Sequence, residues 1–139
     1  MGESARLRVR LSQADAHYGG DLVAGARVME LFGDVATELC IRSDGDEGLL
    51  AGYSSVEFLR PLHAGDFVEV RATITRSGSS SRDMAFELVR YARPRRDISD
   101  SAADLVEGPE LAARATGTCV VPVDRQRRRA ARDAEGSGS

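Results

Sequence analysis

Residues 22 to 41 carry a sustained helical period, and almost everything after them alternates as strand. Leu22, Ala26, Met29, Gly33, Ala36 and Cys40 recur at steps of three and four, with Phe32 and Leu39 beside them. Arg27, Glu30, Asp34 and Glu38 form a narrower polar stripe opposite. Apolar surface therefore covers well over half the circumference. A lone helix that apolar must be wrapped by other elements, with only a polar slot left open. Gly33 in its middle costs about 1 kcal/mol relative to alanine, which close packing or a ligand would justify.

The wrapping must come from strands. "ARLRVRL" (5–11) alternates Leu7, Val9 and Leu11 against Arg6, Arg8 and Arg10. A polar connection follows, ending in Gly19, Gly20 and Asp21, with Asp21 placed as the N-cap. "RSDGDEG" (42–48) reads as a turn. Strand patterns then run over 49–62, 66–78, 82–93 and 111–124, separated by the turns "HAGD" and "SGSS" and by a long polar loop over 94–110. Strand, long helix, four strands is an α+β two-layer order: one central helix held by a curled antiparallel sheet of about five strands. At 139 residues the chain suits one domain, expected over 1–124. The charged stretch 125–139 reads as a disordered tail.

Composition narrows the chemistry. All 19 basic residues are arginine, so a Schiff-base lysine and a phosphate-loop lysine are excluded. A net charge of −3 gives no reason to expect a nucleic-acid partner. No apolar run approaches the ~18 residues a membrane span needs, and the first ten residues lack a signal-peptide pattern, so a cytoplasmic protein is expected. Cys40 and Cys119 lie far apart among apolar residues and read as buried free thiols with no metal-ligand spacing.

"VEFLRPLHAGD" (56–66), within this architecture, resembles the hot-dog-fold proteins that act on acyl-coenzyme A. "DAHYGGDLVAGARVMELFGDVATEL" (15–39), "DGDEGLLAGYSSVEFLRPLHAGDFVE" (44–69) and "GSSSRDMAFE" (78–87) narrow the resemblance to the β-aminoacyl-CoA ammonia-lyases. It spans residues 5 to 124. It implies reversible elimination of ammonia from a β-aminoacyl-CoA such as 3-aminobutyryl-CoA, giving crotonyl-CoA, within amino acid metabolism. The substrate is an acyl-CoA, and coenzyme A is part of it, so no separate cofactor and no metal are implied. A homodimer with strands continuing across two chains is expected from the exposed sheet edges. The resemblance extends this to a trimer of dimers.

Such a reaction needs a base for the α-proton, donors for the enolate oxygen and a group that handles ammonium. A helix N-terminus offers unpaired N–H groups and a positive dipole end. The resemblance therefore places the enolate oxygen at Gly19, Gly20 and the first helical turn, with Gly25 as a further contact, and His17 and Tyr18 shaping or protonating the site. Glu57 and Asp34 rank together as base, ahead of His17. Sequence parity alone turns Glu57 to the outer side of the sheet if Val56 and Phe58 face the helix. Ser79, Ser80, Ser81 and Arg82 are assigned to coenzyme A, with Arg95 and Arg96 for its 3′-phosphate. His63 and Asp66 read as turn residues. The same fold supports two other readings, an acyl-CoA thioesterase and an enoyl-CoA hydratase. A non-catalytic acyl-CoA-binding subunit is the fourth.

Overall fold

The central helix is present but sits three residues later than its period suggests. In the computed structural model, which describes residues 3–128, α1 runs Gly25–Asp44. Leu22 and Val23 instead make a two-residue strand, β3 (Leu22–Val23), antiparallel to β2 (Ala16–Tyr18); β1 (Ser4–Arg10) precedes both. The cause is tertiary. Val23 N–H donates to Leu62 O at 2.8 Å and Ala64 N–H to Asp21 O at 2.9 Å, tying this segment to the 59–66 connection before the helix can begin. Asp21 is not the N-cap: its φ is +60°, and Ala24 holds the cap position with no side-chain bond. At the other end Gly45, at φ +72°, closes α1 by donating its N–H to Ile41 O at 2.9 Å.

The buried face of α1 is also rotated from the expected seam. Val28, Leu31, Phe32, Val35, Ala36, Leu39 and Cys40 are buried, whereas Ala26 is exposed and Met29 and Gly33 are half-buried. Among the described residues nothing outside the neighbouring helix backbone lies within 4 Å of a Cβ placed at Gly33, so packing against other elements among them does not explain that glycine.

Four longer strands complete the sheet: β4 (Leu49–Phe58), β5 (Phe67–Ser77), β6 (Ser81–Pro94) and β7 (Ala103–Val120). Their order with β1 is β1-β5-β6-β7-β4, antiparallel throughout. The sheet curls around α1, which is the hot-dog arrangement. Most of the expected loop over 94–110 is strand, because β7 begins at Ala103 and pairs Asp104 with Arg93 and Leu105 with Ala92. Its polar sequence reflects exposure beyond the core, where Leu105 is 81% exposed. Phe32 stacks on Phe86 at 5.3 Å, Tyr53 meets Phe86 edge-on at 6.0 Å, and Tyr53 O–H donates to Met29 O at 2.7 Å. Cys40 and Cys119 are free and buried.

The packed chain passes the expected boundary at Asp124. Gln126 is buried and its Nε2 donates to Ser79 O and Val121 O, at 2.6 and 2.9 Å. The rest of the expected tail, 129–139, lies outside the described residues. No helix among the described residues is long and apolar enough to cross a membrane.

Candidate active site

An apolar pocket of about 590 Å³ opens at the N-terminus of α1. Tyr18 and Leu22 from the β2–β3 segment, Gly25, Val28 and Met29 from α1, and Phe58 from β4 line it. The first short-range bond of the helix is Arg27 N–H to Ala24 O at 3.0 Å. The N–H groups of Gly25 and Ala26 precede it and hold no acceptor among the described residues. They are two of the orphan donors every helix start leaves, and here both residues line an apolar wall. A thioester oxygen in the pocket would meet donors that are already aimed at it and unspent on the protein, the arrangement that stabilises developing charge.

Gly25 is where the wall comes closest to the helix start. A Cβ there would stand 2.8 Å from Phe58 Cζ, so the ring can cover the helix start only because no side chain intervenes. The expected oxyanion residues divide accordingly. Gly25 lines the pocket; Gly19 and Gly20 lie before β3, away from the helix start, and Gly20, at φ +71°, faces a neighbouring hollow. Tyr18 lines the pocket and is 56% exposed, while His17 stands beside it, the rings edge-on at 4.8 Å. His17 does not line the pocket itself.

Neither candidate carboxylate lines the pocket within one chain. Glu57 is on the outer side of the sheet, as strand parity predicts, and accepts from Arg114 Nε at 2.7 Å. That contact holds the Glu57 carboxyl below the usual glutamate range. Asp34 is exposed on α1, about 13 Å along the axis from Gly25 at 1.5 Å per residue. Among the described residues it holds no hydrogen bond or ion pair. The nearby polar slot is otherwise occupied: Arg27 Nε lies 2.9 Å from Asp15 Oδ1, and its Nη1 2.5 Å from Glu30 Oε1.

The serine-rich turn is not beside this pocket. Arg82, expected on coenzyme A, points into the protein and is 1% exposed. Its Nε and Nη2 donate to Asp44 at 3.0 and 3.1 Å, and its Nη1 to Gly78 O and Ser81 O at 2.8 and 2.7 Å. Ser79 and Ser80 use their carbonyls on Gln126 and Val121. The turn clamps the C-terminal end of α1, which at 20 residues lies on the order of 30 Å from its start. Sequence reading missed Phe58 and Leu59 as pocket residues. Exposed apolar residues next to "RPL" at a strand end were the available signal.

Residues 20–93 match the model of the Thioesterase superfamily. The chain is 57% identical over 122 residues to the 3-aminobutyryl-CoA ammonia lyase of Acetoanaerobium sticklandii, covering 88% of this chain and 97% of that protein. The solved β-alanyl-CoA:ammonia lyase from Clostridium propionicum superposes with a TM-score of 0.86 at 37% identity, covering 91% and 90% of the two chains. A hexameric thioesterase from Yersinia pestis shares the fold at a TM-score of 0.67 and 21% identity, over 91% and 93%. Helix, curled sheet and pocket together define a hot-dog protein of the Thioesterase superfamily. Within that superfamily the chain belongs to the family of the 3-aminobutyryl-CoA and β-alanyl-CoA ammonia lyases.

Proposed function

We propose that this protein is a carbon–nitrogen lyase that eliminates ammonia reversibly from 3-aminobutyryl-CoA, giving crotonyl-CoA. The observation that carries the reading is 57% identity across nearly the whole length of a relative named for that activity. The pocket supports it: its apolar wall suits an acyl chain, and the N–H groups of Gly25 and Ala26 suit a thioester oxygen.

In the proposed step a carboxylate takes the α-proton and the electron pair moves onto the thioester oxygen as an enolate. The pair then returns to form the Cα–Cβ double bond, and the Cβ–N bond of the protonated β-amine breaks with its electrons on nitrogen, releasing neutral ammonia. The thioester itself acidifies the α-proton, so the reaction is written with no cofactor beyond the coenzyme A of the substrate. Asp34 and Glu57 remain the proposed bases, ahead of His17. Because neither lines the pocket of its own chain, we assign the base to a second copy of the chain.

A homodimer fits the edges of the sheet, where β1 and β4 each pair on one side only. The named hexameric relative supports a trimer of dimers as the larger form. A cytoplasmic location completes the proposal.

The test is to mix the protein with crotonyl-CoA, with and without ammonium, following enoyl absorbance, free thiol and product mass. Ammonium-dependent loss of the enoyl band, with the mass of one ammonia gained and no thiol, is expected. Thiol release independent of ammonium would replace the reading with a thioesterase, and ammonium-independent hydration with a hydratase.

A further inference from the structure

A second hollow of about 380 Å³ lies across Pro61 and the Gly20–Asp21 turn from the apolar pocket, Pro61 lining both. Three arginines reach it, Arg90, Arg93 and Arg96. Arg90 is already committed. Its Nη1 lies 3.3 Å from Asp66 Oδ2 and its Nη2 donates to Glu110 Oε1 at 2.8 Å. Asp66, buried, also accepts the His63 N–H at 2.8 Å. That leaves Arg93 and Arg96, whose guanidiniums hold no hydrogen bond or ion pair among the described residues. Arg95 between them is turned away, onto Asp97 and Asp104.

Arg96 lies over the Gly65 turn, where a Cβ would stand 3.4 Å from its Nη2. Pro94 packs on the Gly65 turn so closely that a Cβ at Gly65, whose φ is +96°, would stand 2.6 Å from Pro94 Cγ. Arg96 also borders a further hollow of about 280 Å³ that Arg10 shares, so cationic surface continues away from the apolar pocket. Between the two pockets the backbone is left-handed at both Gly20 and Asp21, and nothing lies within 4 Å of a Cβ at Gly19 or Gly20. No side chain of these two glycines stands in the way of a thin, flexible chain.

We propose that Arg93 and Arg96 bind a phosphate group at the nucleotide end of the coenzyme A thioester. This rests on the lyase reading for the substrate. That molecule has an apolar acyl end and a polyanionic end joined by a thin arm, and the chain presents an apolar pocket and unpaired guanidiniums joined by a bare crossing. A guanidinium fork matches phosphate oxygens in pairs. Asp21 is the carboxylate of this hollow that no partner among the described residues neutralises, so it opposes the anion.

Two measurements on the full chain test this. Adenosine 3′,5′-bisphosphate titrated calorimetrically should bind the wild type, and Arg93→Gln or Arg96→Gln should weaken it on the order of tenfold. Asp21→Asn, tolerated at positive φ, should tighten it. Steady-state amination of crotonyl-CoA and of crotonyl-pantetheine should give the wild type a lower KM for the CoA ester, and the arginine variants should lose most of that difference. Arg96→Gln lies outside every strand and serves if Arg93→Gln does not fold. Unchanged affinity in the variants, or equal losses on both esters, overturns the site. If crotonyl-CoA is not aminated at all, the lyase reading fails while the bisphosphate titration still decides the site.

Discussion

The two ends of α1 are built to opposite specifications. At the C-terminal end Gly45 closes the helix, Asp44 and Arg82 meet inside the protein at 0% and 1% side-chain exposure, and Gln126 ties the following chain to the serine turn. At the N-terminal end no side chain caps the helix, two backbone donors find no acceptor among the described residues, and Tyr18 and Phe58 are more than half exposed around an open pocket. The ion pairs repeat the contrast. Asp44–Arg82 is sealed from water, whereas Glu57–Arg114, one residue from Phe58, is half-exposed on both sides. A capped, sealed terminus anchors the helix in its sheet. That leaves the other terminus free to keep its hydrogen-bonding groups unspent, as a site for an oxygen-bearing ligand requires.

The largest effect should come from unsealing the closed end. Arg82→Met leaves the Asp44 carboxylate buried without its guanidinium, at a cost of about 3–5 kcal/mol in denaturant unfolding. Adding Asp44→Leu should recover much of that loss, since a buried pair replaced by apolar groups is often neutral. Turnover per folded molecule should barely change, because the pair sits a helix length from the pocket. A catalytic loss larger than the folding loss would erase the distinction between the ends.

Closing the open end should do the reverse. Gly25→Val drives a side chain into Phe58 and should lower kcat/KM by about tenfold to a hundredfold while shifting unfolding far less than the Arg82 variant. Phe58→Ala in the same chain should restore part of the activity by returning the space. If Gly25→Val instead unfolds the protein, this end is structural after all.

The smallest effect sharpens the contrast between the pairs. A depressed folded pKa means the Glu57–Arg114 contact stabilises the protein above the ordinary glutamate range and is lost as pH falls through the lowered value. Solvent screens a pair this exposed, so stability should scarcely register this. The rate should. If Glu57 is the base, Arg114→Gln moves the acidic limb of kcat/KM to higher pH, toward an ordinary glutamate. An unmoved limb removes Glu57 and leaves Asp34 ahead of His17.

The contrast between the ends also marks where sequence reading succeeds. Element types and the α+β layering were legible because periods of 2 and 3.6 are local properties of the chain. Gly25 and Tyr18 were legible because glycine and an aromatic beside a helix start carry a local meaning. The helix start was not, since it depends on Val23 and Asp21 bonding to Leu62 and Ala64, some forty residues away. The role of Arg82 was not legible either: an arginine after a serine-rich turn has the same sequence whether it faces a phosphate or a buried aspartate. The two carboxylates show the remaining limit. Their positions follow from parity and helix rise, but a site completed by a second chain leaves no periodic trace in the first.

The protein has no tryptophan and three tyrosines, and the structure puts each in a different setting. Tyr18 lines the pocket, Tyr53 is hydrogen-bonded to the helix in the core, and Tyr91 lies beneath the Arg8 guanidinium on the outer sheet. The ultraviolet emission of the native chain is therefore a sum of three overlapping contributions. Replacing Tyr53 and Tyr91 by phenylalanine leaves Tyr18 alone, an unlabelled optical reporter of pocket occupancy built into the wall that the acyl group would touch.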